Sequence, residues 1–281
     1  MKQFLDSPQS TRRLLLIFAV TLLLFVGIRF DSDALIRSKV QALAASANIQ
    51  FSYQQLHISP LSLRATNISI VSRQIPKGLM LEEIAISPLW SSLFTDDLAA
   101  DVEVIWQGNR GSARVKRSDQ NILLEEIKAT VDVADLIPFV KSPISLNASG
   151  VSTIEGELLI NPRVKAPLTG RIDVSSEALA IHVMGLEFPV SNILFHLEEK
   201  SSPSWQWKAT AGKNSYMNAN GTLEMIGGPR QWKADGLLSL NASNIENQML
   251  NSFIKSIVPN GDLLQARIFG TLNRPQMKLL P

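Results

Sequence analysis

The chain has 281 residues, 45% of them apolar and 19% charged, which is enough to bury a sizeable core. Its 27 Lys and Arg nearly balance its 25 Asp and Glu, and they are scattered rather than striped, which excludes the basic footprint of a nucleic-acid binder. The lack of cysteine excludes disulfide scaffolds and thiolate metal sites, and it is compatible with an extracytoplasmic body.

Near the N-terminus, Leu14–Ile28 (LLLIFAVTLLLFVGI) is free of charge, follows Arg12 and Arg13, and ends at Arg29. Its 15 residues fall short of the roughly 20 that span a hydrocarbon core. Snorkelling by Arg13 and Arg29, with Phe30 at the interface, closes much of that gap. A signal peptide would place a small-residue cleavage site close behind the apolar region. Here Ala42-Leu43-Ala44 lies beyond Arg29, Asp31, Asp33, Arg37 and Lys39, so the segment reads as a retained single-pass anchor. Lys and Arg are nearly balanced across it; a short leading tail and a long body set the N-terminus in the cytoplasm. In a Gram-negative source the body then lies in the periplasm.

Leu35, Ile36, Val40 and Leu43 recur at three- and four-residue steps, one face of a helix that Asp31, Ser32 or Asp33 can cap. Packing against the end of the following sheet is favoured over lying on the membrane. The organisation is therefore a tail at 1–13, an anchor at 14–30, an amphipathic helix at 31–46 and a periplasmic β-rich body at 47–281.

From Ile49 onward, period-two alternation dominates. Leu61, Leu63 and Ala65 alternate, then Ile68 and Ile70 after a shift; Leu79 and Leu81 precede Ile84 and Ile86 with the same shift. Such shifts predict bulges or bends in long strands. Val102–Trp106, Ile127–Val133, Ile172–Val183, Ile193–Leu197, Trp205–Ala209, Leu238–Leu240 and Ala266–Ile268 continue the pattern. Gly, Asn and Pro turns between them predict twelve to fifteen mostly antiparallel strands. Helical stretches are expected at Pro88–Phe94, Ala134–Val140 and Ser243–Val258. In the last, Ile245, Met249, Phe253 and Ile257 step by four beside Leu250 and Ile254, with Ser243 or Asn244 as cap and Pro259 as stop. Three short helices cannot cover so much sheet. It must curl into a groove, sandwich or open barrel. Weak repetition suits similar β units: Ser-Leu-Asn-Ala-Ser occurs at 145–149 and 239–243, and Gly-x-Leu at Gly156, Gly221 and Gly270. Lys200–Ser204 reads as a loop tip.

Catalytic signatures are missing. His57, His182 and His196 show no metal-ligand spacing, and no nucleophile elbow, P-loop or dinucleotide fingerprint occurs. His182 and His196, inside alternating segments, are expected to face solvent or fill a core position. The pairs Glu82-Glu83, Asp96-Asp97, Glu125-Glu126 and Glu198-Glu199 are expected to diverge, because adjacent strand residues face opposite ways. The sequons at Asn67, Asn147, Asn220 and Asn241 read as turn chemistry rather than glycan sites. No catalytic, cofactor-binding or metal residue is expected.

The order of parts carries a resemblance. A basic tail, short anchor and amphipathic helix lead into IQFSYQQLHISPLSLRATNISIVS (49–72), then LMLEEIAISPLWSSLF (79–94), and near the end ARIFGTLNRP (266–275). The chain resembles the type II secretion system protein N family, in the form related to AsmA-like proteins. That resemblance implies a non-enzymatic inner-membrane protein with a periplasmic β body, working with other proteins of the secretion apparatus and needing no cofactor. The chain is shorter than many AsmA-like proteins, which argues against a long bridge between two membranes. A lipid-handling module with an apolar β groove, binding phospholipid, and a plain scaffold give the same alternation. A closed, filled core favours secretion or scaffold; an open groove favours lipid.

Overall fold

The computed structural model describes Ser38, Gln41, Ala42, Ala45 and residues 49–280, except 60, 73–77, 95–97, 119–120, 137–145, 162–165, 184–185, 202, 213–215, 227–230, 246–247, 258–262 and 273. The expected anchor at 14–30 lies outside these residues. Of the expected helix at 31–46, Ser38, Gln41, Ala42 and Ala45 are described; they are helical and exposed. No helix among the described residues is long and apolar enough to cross a membrane.

The body is one antiparallel sheet, curled and unclosed. Its strands are β1 (Ile49–Ser52), β2 (Gln55–Ile58), β3 (Leu63–Ser72), β4 (Leu79–Pro88), β5 (Leu98–Trp106), β6 (Asn109–Ser118), β7 (Asn121–Asp132) and β8 (Leu146–Ser149), then β9 (Val151–Asn161), β10 (Ala166–Val183), β11 (Leu186–Ser201), β12 (Ser204–Ala211), β13 (Met217–Glu224), β14 (Lys233–Asn241), β15 (Leu263–Thr271) and β16 (Arg274–Leu279). Nearly every strand pairs with its sequence neighbours. Two positions in the sheet are each filled by an interrupted strand: β1 and β2 at the edge both pair with β3, and β8 and β9 in the middle both pair with β10. These interruptions raise the strand count to 16, above the expected range. A two-sheet sandwich is not formed.

Local chemistry explains the turns and kinks. The β5–β6 hairpin turns through Gln107 and Gly108, with φ of 48° and 78°, the two positive angles a twisted two-residue turn requires. Asn67, at φ 50°, reverses the alternation inside β3. Ile68 and Ile70 therefore join Ala65 in one cluster with Leu79, Leu81 and Ile84. The break in alternation read from the sequence is thus present, while the β3–β4 pairing keeps one register throughout. Glu126, at φ 50°, does the same in β7.

Helix is scarce. α1 spans Val133–Leu136 and α2 spans Gln248–Ile257, with 3-10 turns at Trp90–Phe94 and Ala242–Asn244. Val133, expected to end the β7 alternation, instead opens α1. The helix expected from Ser243 starts later. Asn241 accepts hydrogen bonds from the Ser243 amide (3.1 Å) and hydroxyl (2.7 Å), closing a separate turn before α2.

Three apolar clusters line the sheet. One joins Ala65, Ile68 and Leu81 to Phe51, Tyr53 and Leu56; the second centres on Trp205, Leu223 and Met225; the third unites Val190, Ala211, Tyr216, Ala242 and Ile245. Leu158 on β9 packs against the second cluster, whose Trp205 sits three strands away on β12. Three strand spacings amount to about 14 Å in a flat sheet. The sheet therefore curls toward its apolar side.

Candidate functional site

Register determines which residues share a face, because directly paired residues point the same way. One row crosses the whole sheet: Leu56, Ala65, Ile84, Val104, Gly111, Ala129, Ile154, Val174, Phe195, Ala209, Ala219, Leu238, Ala266 and Leu279. All are apolar or glycine. Strand spacing makes this row about 60 Å long, measured along the curl. The next row on the opposite face reads His57, Arg64, Ala85, Glu103, Ser112, Lys128, Glu155, Asp173, His196, Lys208, Asn220, Leu237, Arg267 and Lys278. One row is thus apolar from edge to edge, and the neighbouring row on the opposite face is mostly charged or polar.

The apolar face is partly covered. In its row, Ala65, Ala219 and Ala266 are buried and Leu279 is exposed; the remaining members are partly exposed. Met277, on β16, is 65% exposed. Trp207 covers part of the face from within. It pairs with Gly221, which pairs with Gly236, and a Cβ at Gly236 would overlap the indole. The indole nitrogen donates to the Thr222 carbonyl at 3.3 Å. Two donors here, Trp205 Nε1 and the Tyr216 hydroxyl, are buried without a hydrogen-bond partner. Burial pushes the Tyr216 pKa up. An unpaired buried donor costs about 1–3 kcal/mol.

On the charged face, Arg171, Asp173, His196 and Glu198 form a cross-strand cluster between β10 and β11. Asp173 contacts His196 Nδ1 and Arg171 Nε, both at 2.6 Å, and Glu198 lies 3.2 Å from His196 Nε2. The hydrogen bond to Asp173, then that to Glu198, raises the His196 pKa against the opposing effect of burial. The hydrogen bond from His196, and less strongly that from Arg171, lowers the Asp173 pKa. A hollow of about 280 Å³ adjoins, lined in part by Ser175, Leu194, Lys208 and Thr210. With a carboxylate on each ring nitrogen, His196 has no free lone pair to act as a base toward Ser175 or Thr210. Of the two residue environments expected for His196, it takes the polar one.

The other sequence candidates scatter. His57 is exposed on β2; His182 lies on β10, its side chain outside the described residues. Asp96 and Asp97 also lie outside them. Glu83 pairs with Arg64 at 3.1 Å, while Glu82 accepts from the Gly108 amide at 3.2 Å. Glu125 and Glu126 correct the expectation of divergence. They meet Lys116 (2.6 Å) and Arg114 (2.7 Å), two residues apart on one face, because the positive φ at Glu126 turns both carboxylates to that side. Among the described residues no group of three or more His, Asp and Glu side chains is arranged to hold a metal ion. Asn67 sits at the positive-φ kink of β3 and donates to Gln54, and Asn241 caps a turn; Asn147 and Asn220 lie on β8 and β13.

No protein-family model, curated protein or solved structure matches the chain.

Proposed function

We propose that the protein is a non-enzymatic component of the bacterial envelope, anchored in the inner membrane through Leu14–Ile28, whose periplasmic β body receives lipid acyl chains along its apolar face. The supporting observation is the uninterrupted apolar row, most of which remains partly exposed. An acyl chain needs no hydrogen-bond partner and gains about 0.8 kcal/mol for each buried CH₂. A polar segment laid on the same face would leave its own donors and acceptors unpaired. A groove open along this face would favour lipid over a filled scaffold core, and the curled, unclosed sheet is compatible with one.

A second reading, a component of the type II protein secretion apparatus, is favoured by the resemblance of residues 49–72, 79–94 and 266–275. There the apolar face would pack on another protein of the apparatus. Two measurements separate the readings: mass spectrometry of lipid copurifying with the full-length protein, and a secretion assay on a deletion strain. Bound phospholipid with normal secretion supports the first. Folded secretion substrates accumulating in the periplasm, with no bound lipid, support the second.

A further inference from the structure

We propose that β16 is a docking edge that takes one more antiparallel strand from another protein, a strand in which acidic and apolar residues alternate. β16 is the last strand of the sheet path, and among the described residues nothing pairs with its outer side. All 6 of its residues are exposed. The opposite edge differs. It is divided between β1 and β2, of 4 residues each, and Phe51 and Leu56 there are packed into an apolar cluster. Register fixes which backbone groups of β16 point outward. The Leu280 amide donates to the Gln265 carbonyl at 2.9 Å, so Lys278 and Gln276, at two-residue steps along the same ladder, turn their N–H and C=O groups toward β15. Met277 and Leu279 turn theirs away from it. Pro275 also faces outward but offers only a carbonyl.

Charge selects the partner. Pro275, Met277 and Leu279 stand on the apolar face, where Leu279 ends the apolar row. Arg274, Gln276 and Lys278 stand on the other. Lys278 lies directly across from Arg267, a like-charge pairing that disfavours the contact. Arg267 is itself held by Asp235 at 2.9 and 2.6 Å. Among the described residues no ion pair involves Arg274 or Lys278. Two cations without carboxylate partners repel a second copy of β16, the usual way in which edge charges deter self-pairing. The same cations match carboxylates set opposite positions 274 and 278 on an added strand. The apolar residues of that strand would then continue the apolar face, and its main chain would extend the ladder. The inference is independent of what the apolar face receives.

Fluorescence anisotropy on the full-length protein in mild detergent tests this with labelled peptides as long as β16. One alternates Glu and Val, one alternates Lys and Val, and one is the Glu/Val peptide N-methylated at every valine, the residues whose amides would meet Met277 and Leu279. The Glu/Val peptide is expected to bind, and each of the others to bind about tenfold more weakly or less. Met277→Pro removes an outward amide, as Pro275 already does, and leaves the β15 ladder intact; it should weaken Glu/Val binding about tenfold with Tm unchanged. Leu279→Pro, which removes the other outward amide, replaces it if that variant does not fold. Arg274→Glu combined with Lys278→Glu should reverse the preference to Lys/Val. Equal binding of the two charge types, or a Glu/Val preference that survives the double reversal, overturns the proposal. Glu/Val binding undiminished by N-methylation or by the proline overturns it as well, because the backbone edge is then not the contact. No binding of any peptide also overturns it. If the protein instead self-associates and Met277→Pro abolishes that, the occupant is a second copy, and the proposal fails.

Discussion

Gly236→Ala tests whether the indole of Trp207 lies across two neighbouring strands. An added Cβ would overlap Trp207 Cζ2 and sit 2.9 Å from Cη2 and 2.6 Å from the Asn220 carbonyl oxygen. The ring can move, but the carbonyl is fixed by the β13–β14 pairing. Overpacking of this kind costs about 1–3 kcal/mol. Loss of the Trp207–Thr222 hydrogen bond adds about 0.5–1.5 kcal/mol. Restriction of the unfolded chain by alanine returns about 0.4–1 kcal/mol. The expected net loss is about 0.5–4 kcal/mol, a fall in Tm of about 1–16 °C for a body this size. Thermal unfolding followed by circular dichroism, with tryptophan emission in parallel, measures both the stability and the displaced ring. In a Trp207→Leu background the same change should cost less, by a coupling of about 0.5–3 kcal/mol. Wild-type Tm and unchanged emission in Gly236→Ala would refute the packing.

Ile68 is fully buried, so Ile68→Ala should cost about 2–5 kcal/mol in urea unfolding, whereas Met277→Ala, at 65% exposure, should stay within about 0.5 kcal/mol; equal effects would show that both ends of the sheet are covered alike. Ile172→Asp should destabilise the body by setting an unpaired charge among Gly156 and Leu197, and Asp173→Asn should also lower stability, because Asp173 holds both His196 and Arg171; an unchanged Tm in either variant contradicts this. The raised His196 pKa means that its contribution is complete below about 6.5 and fades as pH rises through the folded-state value. The lowered Asp173 pKa means that its contribution is complete above about 3.8 and fades as pH falls through the folded-state value. The pair therefore stabilises most between these limits, and His196→Gln should abolish the alkaline-side decline in a Tm-against-pH profile; a variant profile parallel to wild type contradicts the assignment.

Much of the sheet was legible because alternation reports sidedness directly. Ile84, Val104, Ala129 and Phe195 each occupy an apolar position of an alternating segment, and all four fall in one row. The shift between Ala65 and Ile68 was visible as a break in period, and Asn67 supplies its cause. The shared direction of Glu125 and Glu126 was not legible, since it depends on one backbone angle. The His196 cluster was hidden for a different reason. Asp173 lies 23 residues away and meets His196 only through the β10–β11 register. Closure was equally out of reach, because a packed face and an open one share the same alternation. The partial exposure of most of the row emerges only from the burial of its members.

The most direct test of the open-face account is photo-crosslinking in living cells. Cells producing the full-length protein would be fed a fatty acid with a photoreactive group in its chain, and crosslinked peptides would be mapped by mass spectrometry. Adducts concentrated on the apolar row around Phe195, Leu238 and Leu279 are predicted, with none on Glu155, Lys208 or Arg267 of the charged row. No adducts, or adducts shared equally between the two faces, would contradict the account.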